Sequence, residues 1–159
     1  MRLVLAAYMV LQLGLLGCSD KSSAGGSGTD APTAGAFESF RRTSSAGPCP
    51  ADSDCSGFVE LDADGTLLFD RFDELPVMVH EAQVTAEERD HAIDALTAAA
   101  LVTLLDLGEP PCTPPSDVFE SMTLEAGGSE HRNDVTFCDD PPLVAARAAL
   151  DQLTQAYFP

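Results

Sequence analysis

The residues that could carry out acid–base, nucleophilic or metal chemistry are few in kind. The chain of 159 residues has three histidines, His80, His91 and His131. His80-Glu81 begins the His-Glu-x-x-His pattern that sets two imidazoles on one helix face for zinc, but Val84 stands where the second imidazole is needed. His91 falls in the early turns of an expected helix and reads as solvated. His131 faces Leu124 across an expected hairpin and reads as a half-buried histidine with its polar needs met rather than a ligand. No Gly-x-Ser-x-Gly elbow occurs. No glycine-rich loop joins a strand to a helix, so no phosphate cradle is indicated. Glu60, Asp62, Asp64 and Asp70 gather around one turn. A calcium loop needs oxygens at alternate positions and a closing bidentate Glu, and Arg71 occupies that closing position. The same acids suit a solvated hairpin tip. Asp52, Asp54, Asp139 and Asp140 read as solubilising. With no Trp and few other aromatics, the chain also lacks stacking platforms for a sugar site. The expectation is a non-catalytic protein with no cofactor and no assigned metal ligand. The alternative is a calcium- or ligand-binding domain, or an unrecognised enzyme, using carboxylates near the first hairpin.

The elements that would position these residues begin after an address. Arg2 precedes an apolar run from Leu3 to Leu16, broken only by Gln12 and Gly14. That is shorter than the roughly twenty residues of a membrane-spanning helix and fits a secretory signal. Leu15-Leu16-Gly17-Cys18 resembles the lipobox of bacterial lipoproteins. The resemblance implies cleavage before Cys18, a diacylglycerol on its sulfur and acylation of the new amine. Ser19 after the lipid-bearing residue, rather than Asp, favours the outer membrane by the same resemblance. Residues 19–36 are dominated by Gly, Ser, Ala and Thr and hold no large apolar side chain. Such a segment cannot offset its ordering entropy and reads as a flexible tether. Eighteen residues reach roughly 23 Å at about 5–6 Å × √n. The expected organisation is a signal peptide over 1–17, lipidated Cys18 with its tether to 36, and one globular domain over 37–159.

Within that domain, Phe37 to Thr43 is a first strand with poor alternation. Phe58 to Asp70 reads as a hairpin. A three-residue loop, Ala63-Asp64-Gly65, sets Val59 opposite Phe69 and Leu61 opposite Leu67, which buries all four on one face. Val77 to His80 is a further short strand. Thr85-Ala86-Glu87-Glu88 is a capping box, and Ala92, Ile93, Leu96, Ala99 and Ala100 follow at helical spacing to about Leu105. Val118–Ala126 and Ser129–Phe137 form a second hairpin about Gly127-Gly128, facing Leu124 against His131 and Met122 against Asn133. Val118, Val135 and Phe137 are assigned to the same face. Pro141 to Phe158 is a helix with Asp140 at its cap and Leu143, Leu150, Leu153 and Tyr157 along its stripe. The fold class is α+β: a small antiparallel sheet built from two hairpins, with two helices on one face.

The five cysteines fit this order. With Cys18 assigned to lipid, Cys49, Cys55, Cys112 and Cys138 remain, an even number in an oxidising compartment. Of three pairings, Cys49–Cys55 closes a short Pro-, Asp- and Ser-rich loop, and Cys112–Cys138 follows from the antiparallel return of the second hairpin. A four-thiolate zinc site fits poorly, because five and twenty-five intervening residues exceed the usual ligand spacing.

Gly47-Pro48-Cys49, Asp54-Cys55, the Leu61-to-Leu67 hairpin, the Thr85 capping box, Cys112 and Val135-Thr136-Phe137-Cys138 together resemble a set of uncharacterised four-cysteine bacterial lipoproteins. More distantly, the element order is similar to emfourin, a small inhibitor of thermolysin-like metallopeptidases. The shared features are a small-residue loop after the first strand, here Ser44-Ser45-Ala46-Gly47, and an Asp-bearing lead-in to a late hairpin, here Ser116-Asp117-Val118-Phe119. The emfourin loop is richer in glycine and lacks the two disulfides, so no inhibitor residue is carried over.

Charge narrows the partners. The net charge is −18, and residues 37–159 alone carry 24 acids against 6 arginines. Nucleic acid is excluded as a partner, because displacing phosphate counterions needs a basic patch. Direct contact with an anionic lipid surface is disfavoured too. The sequence therefore implies a lipid-anchored cell-envelope domain that binds protein, with a basic partner.

Overall fold

A computed structural model describes residues 36–50, 52–72, 75–113 and 117–159. The segments expected to be a signal peptide and a tether, with Cys18 between them, lie outside the described residues as far as residue 35. Six strands form one antiparallel sheet in the order β4-β3-β2-β1-β5-β6. They are β1 (Phe37–Ala46), β2 (Ser56–Asp62), β3 (Thr66–Asp70), β4 (Val79–Gln83), β5 (Val118–Ala126) and β6 (Ser129–Asp134). Three helices, α1 (Ala86–Leu96), α2 (Ala99–Leu105) and α3 (Pro141–Tyr157), complete the domain.

Both hairpin registers follow from burial. Val59 lies opposite Phe69 and Leu61 opposite Leu67. Gly65 closes that turn with φ 89°, a conformation that strains any residue with a Cβ. Leu124 lies opposite His131 and Met122 opposite Asn133 across Gly127-Gly128, both glycines at positive φ. The sheet's inner face carries Phe40, Leu61, Leu67, Met122 and Leu124, which pack with Leu96, Leu101, Leu105, Leu143 and Leu150 of the helices into one buried core.

The α+β class and the two disulfides hold, with Cys49 bonded to Cys55 and Cys112 to Cys138. Several boundaries differ from expectation. β1 runs to Ala46 and is central, lying between β2 and β5. Its alternation is obscured because Arg42, on the inner face beside Val59 and Met122, meets Asp151 of α3 at 2.7 Å. The strand expected over 77–80 is displaced to Val79–Gln83, since pairing with β3 sets Ala82 opposite Leu67. The long helix expected from Thr85 is two helices, which makes three among the described residues. α1 keeps its capping box but ends at Thr97, whose hydroxyl and backbone N–H both bond to Ile93 O. The break at Ala98 redirects Leu101, Val102 and Leu105 into the core beneath β6, while α1 packs on α3.

β6 stops at Asp134 rather than Phe137. Thr136 is buried, and its hydroxyl accepts from Glu120 N and donates to Glu120 O. Val135 stays in the core, but the chain then turns through Phe137 at φ 56° and sends that ring outward. Asp140 occupies the N-cap of α3 without a side-chain cap bond. Leu143, Ala146, Leu150 and Leu153 form the buried stripe of that helix, and Tyr157 is half-buried beside it.

Candidate functional site

Antiparallel alternation gathers four segments at one end of the sheet: the β1–β2 connection, the β3–β4 connection, the start of β5 and the chain after β6. The two segments singled out by the resemblance to emfourin meet here. Ala46 lies opposite Val118 and Ser45 opposite Phe119, and Gly47 N–H donates to Asp117 O at 2.9 Å. Ser116 lies outside the described residues. Cys49–Cys55 closes the loop beyond β1, and Cys112–Cys138 ties the approach to β5 to the turn after β6. The end is thus cross-linked on both sides of its central strands.

This end is also where apolar side chains are left in water. Phe119 is 50% exposed and Phe137 67%. Phe137 and Val144 of α3 border an open cleft of about 490 Å³ whose walls include Val118 and Cys138, whereas Phe119, between Val118 and Glu120 on β5, faces the other side of the sheet. On the β3–β4 side, Phe72, Leu75, Val77, Met78 and Val79 are exposed as well. Scattered single exposed apolar residues are ordinary; a gathering at one end is the pattern that interaction surfaces show.

The floor of the cleft is an ionic network. Arg147 of α3 grips Glu120 with Nε at 3.0 Å and Nη2 at 2.6 Å. The same guanidinium donates to Val135 O at 2.8 Å and to Cys138 O at 2.5 Å. Arg42 lies 3.9 Å from Glu120 and pairs with Asp151. Arg147 therefore ties α3, β5 and the turn that presents Phe137 into one piece. Both guanidiniums are neutralised by these carboxylates, so the network positions its neighbours and leaves no free cation for a ligand.

The other sequence-singled residues are dispersed. Asp64 Oδ1 accepts from Thr66 N at 2.9 Å, the bond of a turn residue, and this holds its carboxyl below the usual range. Burial, then Asp64 and Glu125, push Asp62 upward. Glu60 pairs with Arg41 at 2.9 Å. Among the described residues, no group of three or more His, Cys, Asp or Glu is placed to hold a metal ion. His80 lies among rings, with centroids 6.3 Å from Phe69 and 5.9 Å from Phe158. His91 is exposed on α1, beside a shallow cleft against α3. His131 is half-buried, with Nδ1 2.8 Å from Asp106 Oδ1, the satisfied histidine that its position suggested.

Sequence reasoning missed the Arg147–Glu120 pair, although a signal was present. Arg147 sits four residues after Leu143 and three before Leu150, within the apolar stripe of its helix. Glu120 holds the same face of β5 as Met122 and Leu124. Opposite charges on two inward faces are a pair waiting for a fold to join them. No protein-family model matches the chain, and no curated protein is recognisably similar to it in sequence.

Proposed function

We propose that this is a lipid-anchored, non-catalytic cell-envelope protein that binds a protein partner through the disulfide-stapled end of its sheet. One observation carries the reading. Segments 44–47 and 117–119, distant in sequence, are paired side by side at the sheet end that leaves Phe119 exposed on one face and Phe137 on the other. The polarity of the domain supports it. The chain comes into β1 at Phe37, and the candidate surface lies beyond Ala46, about 30 Å away at roughly 3.3 Å per residue. A tether attached at Phe37 therefore presents the surface away from its anchor. Resemblance to emfourin makes a thermolysin-like metallopeptidase the first partner class to try.

The test has two arms. The full chain, with Cys18 available for lipid, is used to capture partners from envelope and secreted fractions, beside Phe119→Ser/Phe137→Ser and, as control, Glu130→Gln at the opposite end. A protein retained by the parent and the control, but lost with the double variant, supports the reading. Its association rate should fall as salt rises, because an acidic domain steers a basic partner. Equal retention by the double variant overturns the assignment of the surface. Palmitate labelling of the parent and of Cys18→Ser tests the anchor separately; undiminished label on the variant removes it.

A further inference from the structure

The two edges of the sheet are built differently. β6 ends one side, and its outward positions Glu130, Arg132 and Asp134 are all charged. Charge on an edge strand is the usual protection against pairing with another chain. β4 ends the other side and has one carboxylate, Glu81, in five residues. The exposed apolar residues Leu75, Val77 and Met78 lead straight into it, and Val79 is 55% exposed.

The backbone of β4 has a definite orientation. Val84 N donates to Gly65 O, the residue directly across in the continued register. In an antiparallel ladder, bonded pairs alternate with unbonded ones. Ala82 and His80 therefore direct their N–H and C=O groups toward β3, and Val79, Glu81 and Gln83 direct theirs away from the sheet. Open donors and acceptors at this spacing match an extended segment and not a helix.

We propose that β4 is a docking edge that accepts an extended segment of another protein, with a basic residue facing Glu81 and apolar residues against Val79, Val77 and Met78. Three features select this occupant. The open backbone groups demand a strand. The charge of −18 and Glu81 demand a basic one. A second copy is disfavoured, because the register that overlaps all five residues sets Glu81 against Glu81, between bodies of equal negative charge. Leu75, Val77, Met78 and Val79 share an end of the sheet with Phe119 and Phe137, but the two tests alter different residues, so either proposal can fail alone.

The probes are three synthetic peptides of alternating pattern: a Lys-Val-Thr-Val repeat, its Glu-for-Lys counterpart, and the basic repeat interrupted by proline. Binding to the full chain is read by fluorescence anisotropy, and amide exchange is followed residue by residue. The basic repeat should bind at least tenfold more tightly than either control and slow exchange at Val79, Glu81 and Gln83. Glu81→Lys should reverse the preference between the basic and acidic peptides. Val79→Pro removes an outward N–H without touching the bonds to β3, so it should weaken binding about tenfold with the melting temperature retained. Should that variant unfold, Val77→Ser/Met78→Ser provides the same readout outside the ladder. Equal affinity for all three peptides, or protection elsewhere with these amides unchanged, overturns the proposal. Protection of the same amides by self-association of the unliganded chain overturns it in favour of a second copy.

Discussion

Arg147→Met is the sharpest perturbation of the candidate surface. The change keeps the length of the side chain and its helix propensity while removing the guanidinium. Glu120 then loses its two-pronged partner and retains only Arg42 at 3.9 Å. Val135 O and Cys138 O lose their charged donor as well. Hydrogen bonds to charged groups contribute about 1.5–3 kcal/mol in net terms. Breaking a fully buried pair costs about 3–5 kcal/mol, but Glu120 and Arg147 side chains keep 15% and 21% of their exposure, so solvent returns part of that. A cost of about 3 kcal/mol follows, which for a domain of this size lowers the melting temperature by about 10 °C. Circular dichroism melts of parent and variant measure it. Arg147→Lys should recover less than half, because an ammonium cannot reproduce the fork. A double-mutant cycle with Glu120→Met isolates the pair and should show a coupling above about 1 kcal/mol. A melting shift under 3 °C together with additive single effects, within about 0.5 kcal/mol, would refute the network as the device that holds α3 to the turn of Phe137.

Peptide mapping of the unreduced protein should recover Cys49 with Cys55 and Cys112 with Cys138. Removing the second bridge by paired Ser substitution frees a chain with sequence separation 26, and removing the first frees one of 6. On the chain-entropy argument the costs are about 3.6 and about 2.4 kcal/mol, so urea midpoints should rank in that order. The pH dependences of two carboxylates have opposite signs. Thr85 and then Tyr157 hydrogen-bond Glu88 and hold its carboxyl below the usual range, so its contribution is present above that range and is lost as pH falls through the lowered value. Tyr157→Phe should destabilise at neutral pH, with the difference shrinking on acidification. Asp62 is raised, by burial first, so its charged form opposes folding; Asp62→Asn should be the more stable protein at neutral pH and lose that advantage below the ordinary carboxylate range.

Much of the fold was legible because burial and turn chemistry agree locally. The Ala63-Asp64-Gly65 loop and the Gly127-Gly128 turn each admit one register that buries the right face, and both registers are observed. The capping box set the start of α1 for the same reason. What escaped was decided by partners far away in sequence. Arg42 interrupts the pattern of β1 because Asp151, 109 residues on, receives it. The break at Ala98 serves two different packing partners, α3 before it and β6 after it, and a periodicity through alanines does not register the change. Phe137 looked like an inward strand residue because alternation places it two after Val135. The turn to Cys112 ends that alternation at Asp134. Of the candidate surface, the disulfides and the two resemblance segments were readable, whereas their adjacency depended on β1 pairing with β5, a contact between hairpins that no local signal specifies.

The charge of the domain and its apolar end are linked. Exposed Phe119, Phe137 and the Leu75–Val79 side chains would invite self-association on a neutral protein. At −18, two copies repel over the distance of a Debye length, about 8–10 Å, before apolar contact can form. On the proposed reading, the acids keep a concentrated population of anchored copies apart while leaving the apolar end open to a partner of the other sign. On the lipid-anchored reading, the same repulsion acts against anionic headgroups, and the domain stands off from the bilayer at the reach of its tether, roughly 23 Å. Adding the length of β1, about 30 Å, places the surface beyond Ala46 roughly 50 Å out. On that same proposal, acidity, the polar tether and the antiparallel placement of the exposed end act in one direction: they aim the apolar end at a basic partner and away from both membrane and like copies.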